Sequence, residues 1–158
     1  MTSSTKALAL FALPALLLLS ACDRHEDEEE HFHGVDRVEV RERGSANLLG
    51  IWREGQSNFD GDGLHLHDGE GVALDVLFFD DDNRQAPLGA GREYSLQVEY
   101  STQDGQVGQE GVVAFSVHGD HVDIEAVDHG ETWIVFSLWH GSHADFTSPP
   151  FHVEVDDH

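Results

Sequence analysis

The chain has 158 residues, with 31 Asp and Glu against 8 Lys and Arg, and a formal net charge of −23 at pH 7. A surface this acidic repels nucleic acid and anionic lipid and attracts cations, so a nucleic-acid partner is excluded on charge alone. With one Cys, and Met1 as the one Met, a Cu(I) site built on thiolate and thioether is disfavoured, whereas 12 His and abundant carboxylates suit Zn2+, Cu2+ or Ni2+. Adaptation of the organism to salt would produce the same acidity.

Residues 1–21 read as a targeting segment. A short positive start reaches Lys6, and the apolar run 7–19 after it is too short to span a bilayer comfortably. The run closes on Leu19-Ser20-Ala21-Cys22. This resembles the lipobox of bacterial lipoproteins, and the resemblance covers only these first residues. It implies cleavage before Cys22, lipidation of Cys22 by fatty-acid chains such as palmitate, and a membrane-anchored protein on the periplasmic or cell-surface side. Residues 22–34 are charged and lack an apolar period, so they read as a disordered tether. His25, His31 and His33 stand there among carboxylates. The tether resembles the His- and acid-rich loops of periplasmic zinc-uptake binding proteins, which implies a metal-collecting role; a solvated spacer is the other reading.

Residues 35–158 read as one domain of short strands separated by Gly- and Asp-rich turns. Candidates are 35–42, 47–53, 64–67, 72–79, 94–100, 112–118, 121–127, 132–140 and 151–155. Tyr94, Leu96, Val98 and Tyr100 alternate with polar residues, the mark of a half-buried strand. No useful helical period occurs after residue 22. The expectation is an all-β, immunoglobulin-like antiparallel β-sandwich of about eight strands, without the Cys pair of true immunoglobulin domains. The turn before strand 132–140 has two readings. A three-residue loop over 128–130 puts Ile134, Phe136 and Leu138 in the core, and a two-residue loop puts Trp133, Val135 and Trp139 there; Gly130 favours the first.

Three His pairs carry the chemistry. Gly119-Asp120 has the form of a two-residue hairpin loop, and it sets the register: His118 faces His121, Val117 faces Val122, Ser116 faces Asp123 and Phe115 faces Ile124. Phe115, Val117, Val122 and Ile124 then form the core face. Opposed side chains lie roughly 5 Å apart at Cβ, close enough for two imidazoles to share one ion. His65 and His67 share a strand face, with Asp68 and Glu70 nearby, while Leu64 and Leu66 point inward. His140, His143 and Asp145 flank a turn at Gly141-Ser142. Residues 58–63 (Asn-Phe-Asp-Gly-Asp-Gly) resemble the start of an EF-hand calcium loop, which implies Ca2+, but Gly69 stands where the closing Glu belongs.

The reading reached is an exported, lipid-anchored binder of a divalent metal ion. Zn2+ or Cu2+ is held by His and carboxylates for buffering, delivery or sensing, and a membrane transporter or receptor is the partner that takes the ion on. No catalytic residue is assigned. Two alternatives stand. One is a structural or adhesive sandwich with incidental His. The other is an enzyme: the His65-Leu66-His67 strand resembles the His-x-His strand of copper–zinc superoxide dismutases, but the disulfide pair and the later His spacing of that family are missing.

Overall fold

In a computed structural model, which describes residues 32–45 and 47–157, the chain forms ten strands among the described residues. They are β1 (Arg37–Glu42), β2 (Leu48–Arg53), β3 (Leu64–His67), β4 (Gly71–Phe79), β5 (Tyr94–Ser101), β6 (Val113–Val117), β7 (His121–Ala126), β8 (Gly130–His140), β9 (His143–Thr147) and β10 (Phe151–Asp156). Cys22 and the whole lipobox, the targeting segment, His25 and His31 lie outside the described residues.

Two five-stranded sheets pack face to face as a β-sandwich. The first runs β2-β1-β4-β7-β6; the second runs β3-β10-β8-β5, with β9 pairing β8 beyond β10. Pairing is antiparallel except between β3 and β10, which run parallel. Alternation decides which side chains go inward. Val38, Val40, Leu74, Val76 and Phe78 of the first sheet face Leu96, Ile134, Phe136, Leu138, Phe151 and Val153 of the second, all buried. Burying one Phe completely is worth about 1.5–3 kcal/mol, and Phe78, Phe136 and Phe151 are all fully buried.

The structure departs from the sequence expectation in four places. First, β7 and β8 do not form a hairpin: β7 pairs β4 and β6 in one sheet while β8 pairs β5, β9 and β10 in the other. Residues 127–129 therefore cross between sheets. Ile134, Phe136 and Leu138 are inward as the Gly130 reading required, and Val135 is buried as well. Second, residues 143–147 form a strand where a loop was expected. Third, Val117 is 36% exposed on β6, the edge strand of its sheet. Fourth, Phe32, placed in the tether by composition, packs against the core and meets the Tyr94 ring at 5.6 Å.

One seam between the sheets positions the β6–β7 turn. The Leu96 N–H of β5 donates to the Gly119 carbonyl in that turn (2.9 Å), and the Tyr100 hydroxyl donates to the Val113 carbonyl of β6 (2.7 Å).

Candidate metal centre

The β6–β7 turn is built as its sequence dictates. Gly119 has φ +84°, a conformation that side chains disfavour, in the first central position. The strands then pair Val117 with Val122, Ser116 with Asp123 and Phe115 with Ile124, and the His118 N–H donates to the His121 carbonyl (2.9 Å). The two imidazoles stack with centroids 4.7 Å apart. Asp123, two residues past His121, lies on the same face, with its Oδ2 3.0 Å from His118 Nε2. His118, His121 and Asp123 each offer a ligand atom, and these atoms lie within 4.8 Å of one another. A tetrahedral ion with bonds of about 2.0–2.1 Å separates its ligand atoms by about 3.4 Å, so modest side-chain rotation is enough to close this group around one.

Asp120 completes the arrangement. Its Oδ1 lies 2.6 Å from His121 Nδ1. A carboxylate only accepts, so the imidazole must donate from Nδ1, which leaves Nε2 for an ion. The bond to His121 holds the Asp120 carboxyl below its ordinary range; partial burial opposes this, and nearby Arg43 assists it. Arg43 reaches Asp120 Oδ2 at 3.6 Å and Asp75 at 2.7 Å, tying the turn to β4.

The β8–β9 turn repeats the plan. Gly141 has φ +62°, and His140 pairs with His143. The register slips between Leu138 and Trp139, so Asp145 is the extra residue of a β-bulge, a device that re-aims side chains. Asp145 lies 2.9 Å from His143 Nε2 and 3.5 Å from His140 Nδ1. His140, His143 and Asp145 form the second group whose ligand atoms lie within 4.8 Å. Glu93 lies 3.4 Å from His140 Nε2, which leaves Nδ1 for an ion. The Tyr94 ring, paired with His140 across the strands, sits 5.1 Å away. Burial, together with Glu93 and Asp145, raises the Tyr94 phenol above its ordinary value.

Sequence reasoning paired the His residues of both turns and included Asp145. It left Asp123 out of the candidate ligands, and did not identify Asp120 and Glu93 as the carboxylates behind the imidazoles. The signal for Asp123 was present as a repeat: His-Gly-Asp-His-Val-Asp at 118–123 and His-Gly-Ser-His-Ala-Asp at 140–145. Glu93 left no such signal, since only the β5–β8 pairing brings it to His140.

His65 and His67 behave differently. Leu64 and Leu66 are buried and both His are exposed, as alternation required. His65 Nδ1 meets Glu154 Oε2 of β10 at 3.1 Å, and its Nε2 meets the Asp62 carbonyl at 3.0 Å. The His67 N–H donates to Glu70 (2.9 Å). Neither joins the three-ligand groups found among the described residues. In the EF-hand-like segment, Phe59 plugs the core edge-on to Phe136 and Phe151, and Asp60 exchanges two backbone hydrogen bonds with Ile51 (both 2.8 Å). A strand, β3, comes next where an EF-hand has a helix.

No protein-family model and no curated protein matches the chain. Among solved structures, the crystal structure of domains 4 and 5 of the S-layer protein SbsC is similar at 13% identity and a TM-score of 0.37. That similarity covers 66% of this chain and 61% of the other.

Proposed function

We propose that the protein is an exported, lipid-anchored metal-binding protein that holds Zn2+ or Cu2+ on its two His-Gly-Xaa-His-Xaa-Asp hairpins for buffering, delivery or sensing. The observation that carries this reading is the convergence of two imidazoles and one carboxylate at each turn, with a further carboxylate behind one imidazole of each pair. Backbone pairing fixes each His pair before an ion arrives, and a preorganised pair loses less entropy on binding than a flexible one. Two imidazoles and a carboxylate form a donor set that suits Zn2+ and Cu2+. Three protein ligands leave a coordination position open, which favours transfer of the ion to a membrane transporter or receptor over permanent burial. Cys22 supplies the membrane anchor in this reading.

Metal analysis and titration of the untagged protein test it. About two Zn2+ or Cu2+ per chain are expected, lost stepwise when His118 and His121, then His140 and His143, are replaced by Ala. A chain that takes up neither ion would leave a structural sandwich. Ca2+ uptake insensitive to all four substitutions would move the site to the 58–63 segment.

A further inference from the structure

The outward face of the first sheet changes character along its length. At one end it carries Leu77 and Phe79 of β4, with the Arg37 guanidinium laid over the Phe79 ring at 4.1 Å. At the other end its side chains are small. Asp123 of β7 is flanked by Ala73 of β4 and Ser116 of β6, and Glu125 by Gly71 and Ala114. The two carboxylates therefore rise from the middle strand between two lanes with little side chain to fill them. The result is a trough of about 540 Å3 lined by these six residues among others. That size lies within the roughly 300–1,000 Å3 typical of small-molecule sites. Asp123 belongs both to the trough and to the His118, His121 and Asp123 group. The trough thus begins at a ligand set with an open coordination position. Glu125 lies two residues further along the same strand face, about 7 Å on. It is exposed, and among the described residues it has no hydrogen bond or ion pair.

We propose that this trough takes a small molecule with a nitrogen donor at one end and an ammonium group at the other. The donor fills the open position of the ion held by His118, His121 and Asp123, and the ammonium pairs with Glu125. The proposal rests on the metal-binding reading above. Coordination partly neutralises the Asp123 carboxylate, whereas Glu125 keeps its charge, so the positive end of the ligand is drawn to Glu125. A charge-assisted hydrogen bond from ammonium to carboxylate fixes that end. The skeleton of the ligand joins the two ends, so once the donor is bound the ammonium meets Glu125 at a high effective concentration. Gly71, Ala73, Ala114 and Ser116 leave room for that skeleton. The fourth ligand is not part of the chain, so the ion stays transferable.

Electron paramagnetic resonance of the Cu2+-loaded full chain tests this in a His140→Ala/His143→Ala background, where the β6–β7 hairpin is the remaining three-ligand group among the described residues. The probe is 4-(aminomethyl)pyridine. Its ring nitrogen can ligate, while its ammonium, on the far side of the ring, cannot reach the same ion. The uncharged 4-methylpyridine is its control. Both should add a nitrogen to the copper signal. Glu125→Gln should weaken the charged probe about fivefold and leave 4-methylpyridine unchanged, since an exposed ion pair is worth no more than that. One charge is a small part of a net −23, so a selective loss belongs to Glu125 and not to the overall field. Ala114→Leu, at an exposed position of β6, should weaken both probes several-fold with the Cu2+ affinity itself unchanged. An unchanged affinity for the charged probe in Glu125→Gln, or an equal loss for both probes, would overturn the proposal. So would an Ala114→Leu variant that binds both probes as the parent does. A chain that takes up no Cu2+ would sink the metal reading itself, a result distinct from Cu2+ uptake without the Glu125 effect.

Discussion

The β6–β7 hairpin lies at the free edge of one sheet, while the β8–β9 hairpin grows from the central strand of the other. At the edge, the carboxylate behind the imidazole comes from the turn itself, Asp120, and Arg43 anchors it to β4. At the centre, the turn residue is Ser142, and Glu93 arrives from beside β5. The edge hairpin needs no bulge for Asp123 to reach His118, whereas a bulge carries Asp145. The difference separates two requirements. A Gly-first turn with His on either side creates the imidazole pair. Fixing which imidazole nitrogen is left free is a separate task, and any carboxylate the fold delivers can perform it.

The largest effect expected is on pH. An imidazole must be neutral to coordinate, and two protons displace an ion held by two imidazoles, so affinity at both hairpins should fall by roughly three powers of ten between pH 7 and pH 5. Asp120 is not the cause of that loss. Its carboxyl is held below the ordinary carboxylate range, so its contribution is fully present above that range and disappears only as pH falls through its depressed value. Calorimetric titration at the two pH values checks this; a pH-independent response at one hairpin would mean that oxygen ligands dominate there.

Replacing one His pair by Ala should weaken that hairpin at least about tenfold. The two groups share no residue, so the other hairpin should be unaffected. Both variants should stay folded, because Val122 and Ile124 in one case and Leu138 in the other remain buried. Transfer of the loss from one hairpin to the other would show that the β5 seam couples them.

Asp120→Asn and Glu93→Gln should each cost their own hairpin about tenfold at most, since both side chains are about half exposed. The effect should be larger for Asp120, whose contact with its imidazole is the shorter. Loss of the Nδ1-protonated form of His121 in nitrogen-detected NMR would separate this positioning role from a general structural one.

The smallest effect concerns stability. Gly119→Ala and Gly141→Ala each force a side chain into positive φ, at about 1–2 kcal/mol. Gly141, at φ +62°, falls within the small left-handed region that side chains tolerate, whereas Gly119, at φ +84°, lies beyond it, so thermal melting should rank Gly119→Ala as the less stable of the two.

The hairpin at 118–121 was legible because its register depends on a two-residue loop and nothing distant. The core faces of β5, β8 and β10 were legible for a similar reason, since alternation is local. The failures involve choices that local chemistry does not make. Asp128-His129-Gly130 can return a chain along its own sheet or carry it across to the other, and the crossing was invisible. The bulge at Asp145 breaks the alternation of residues 143–147, so β9 read as a loop. Phe32 sits in a charged segment, and composition outweighed its single ring.

The parallel pairing of β3 with β10 bears on how the chain is made. β10 is the middle strand between β3 and β8, so Leu64 and Leu66 have no sheet partner until Val153 and Val155 arrive from the far end of the sequence. Pairings this distant along the chain slow folding, because loop closure precedes the contacts that reward it. A nascent chain emerging from its N-terminus can complete the β2-β1-β4-β7-β6 sheet first. The second sheet must wait for residues 151–156, and Phe151, buried in the finished core, is the residue whose arrival closes it.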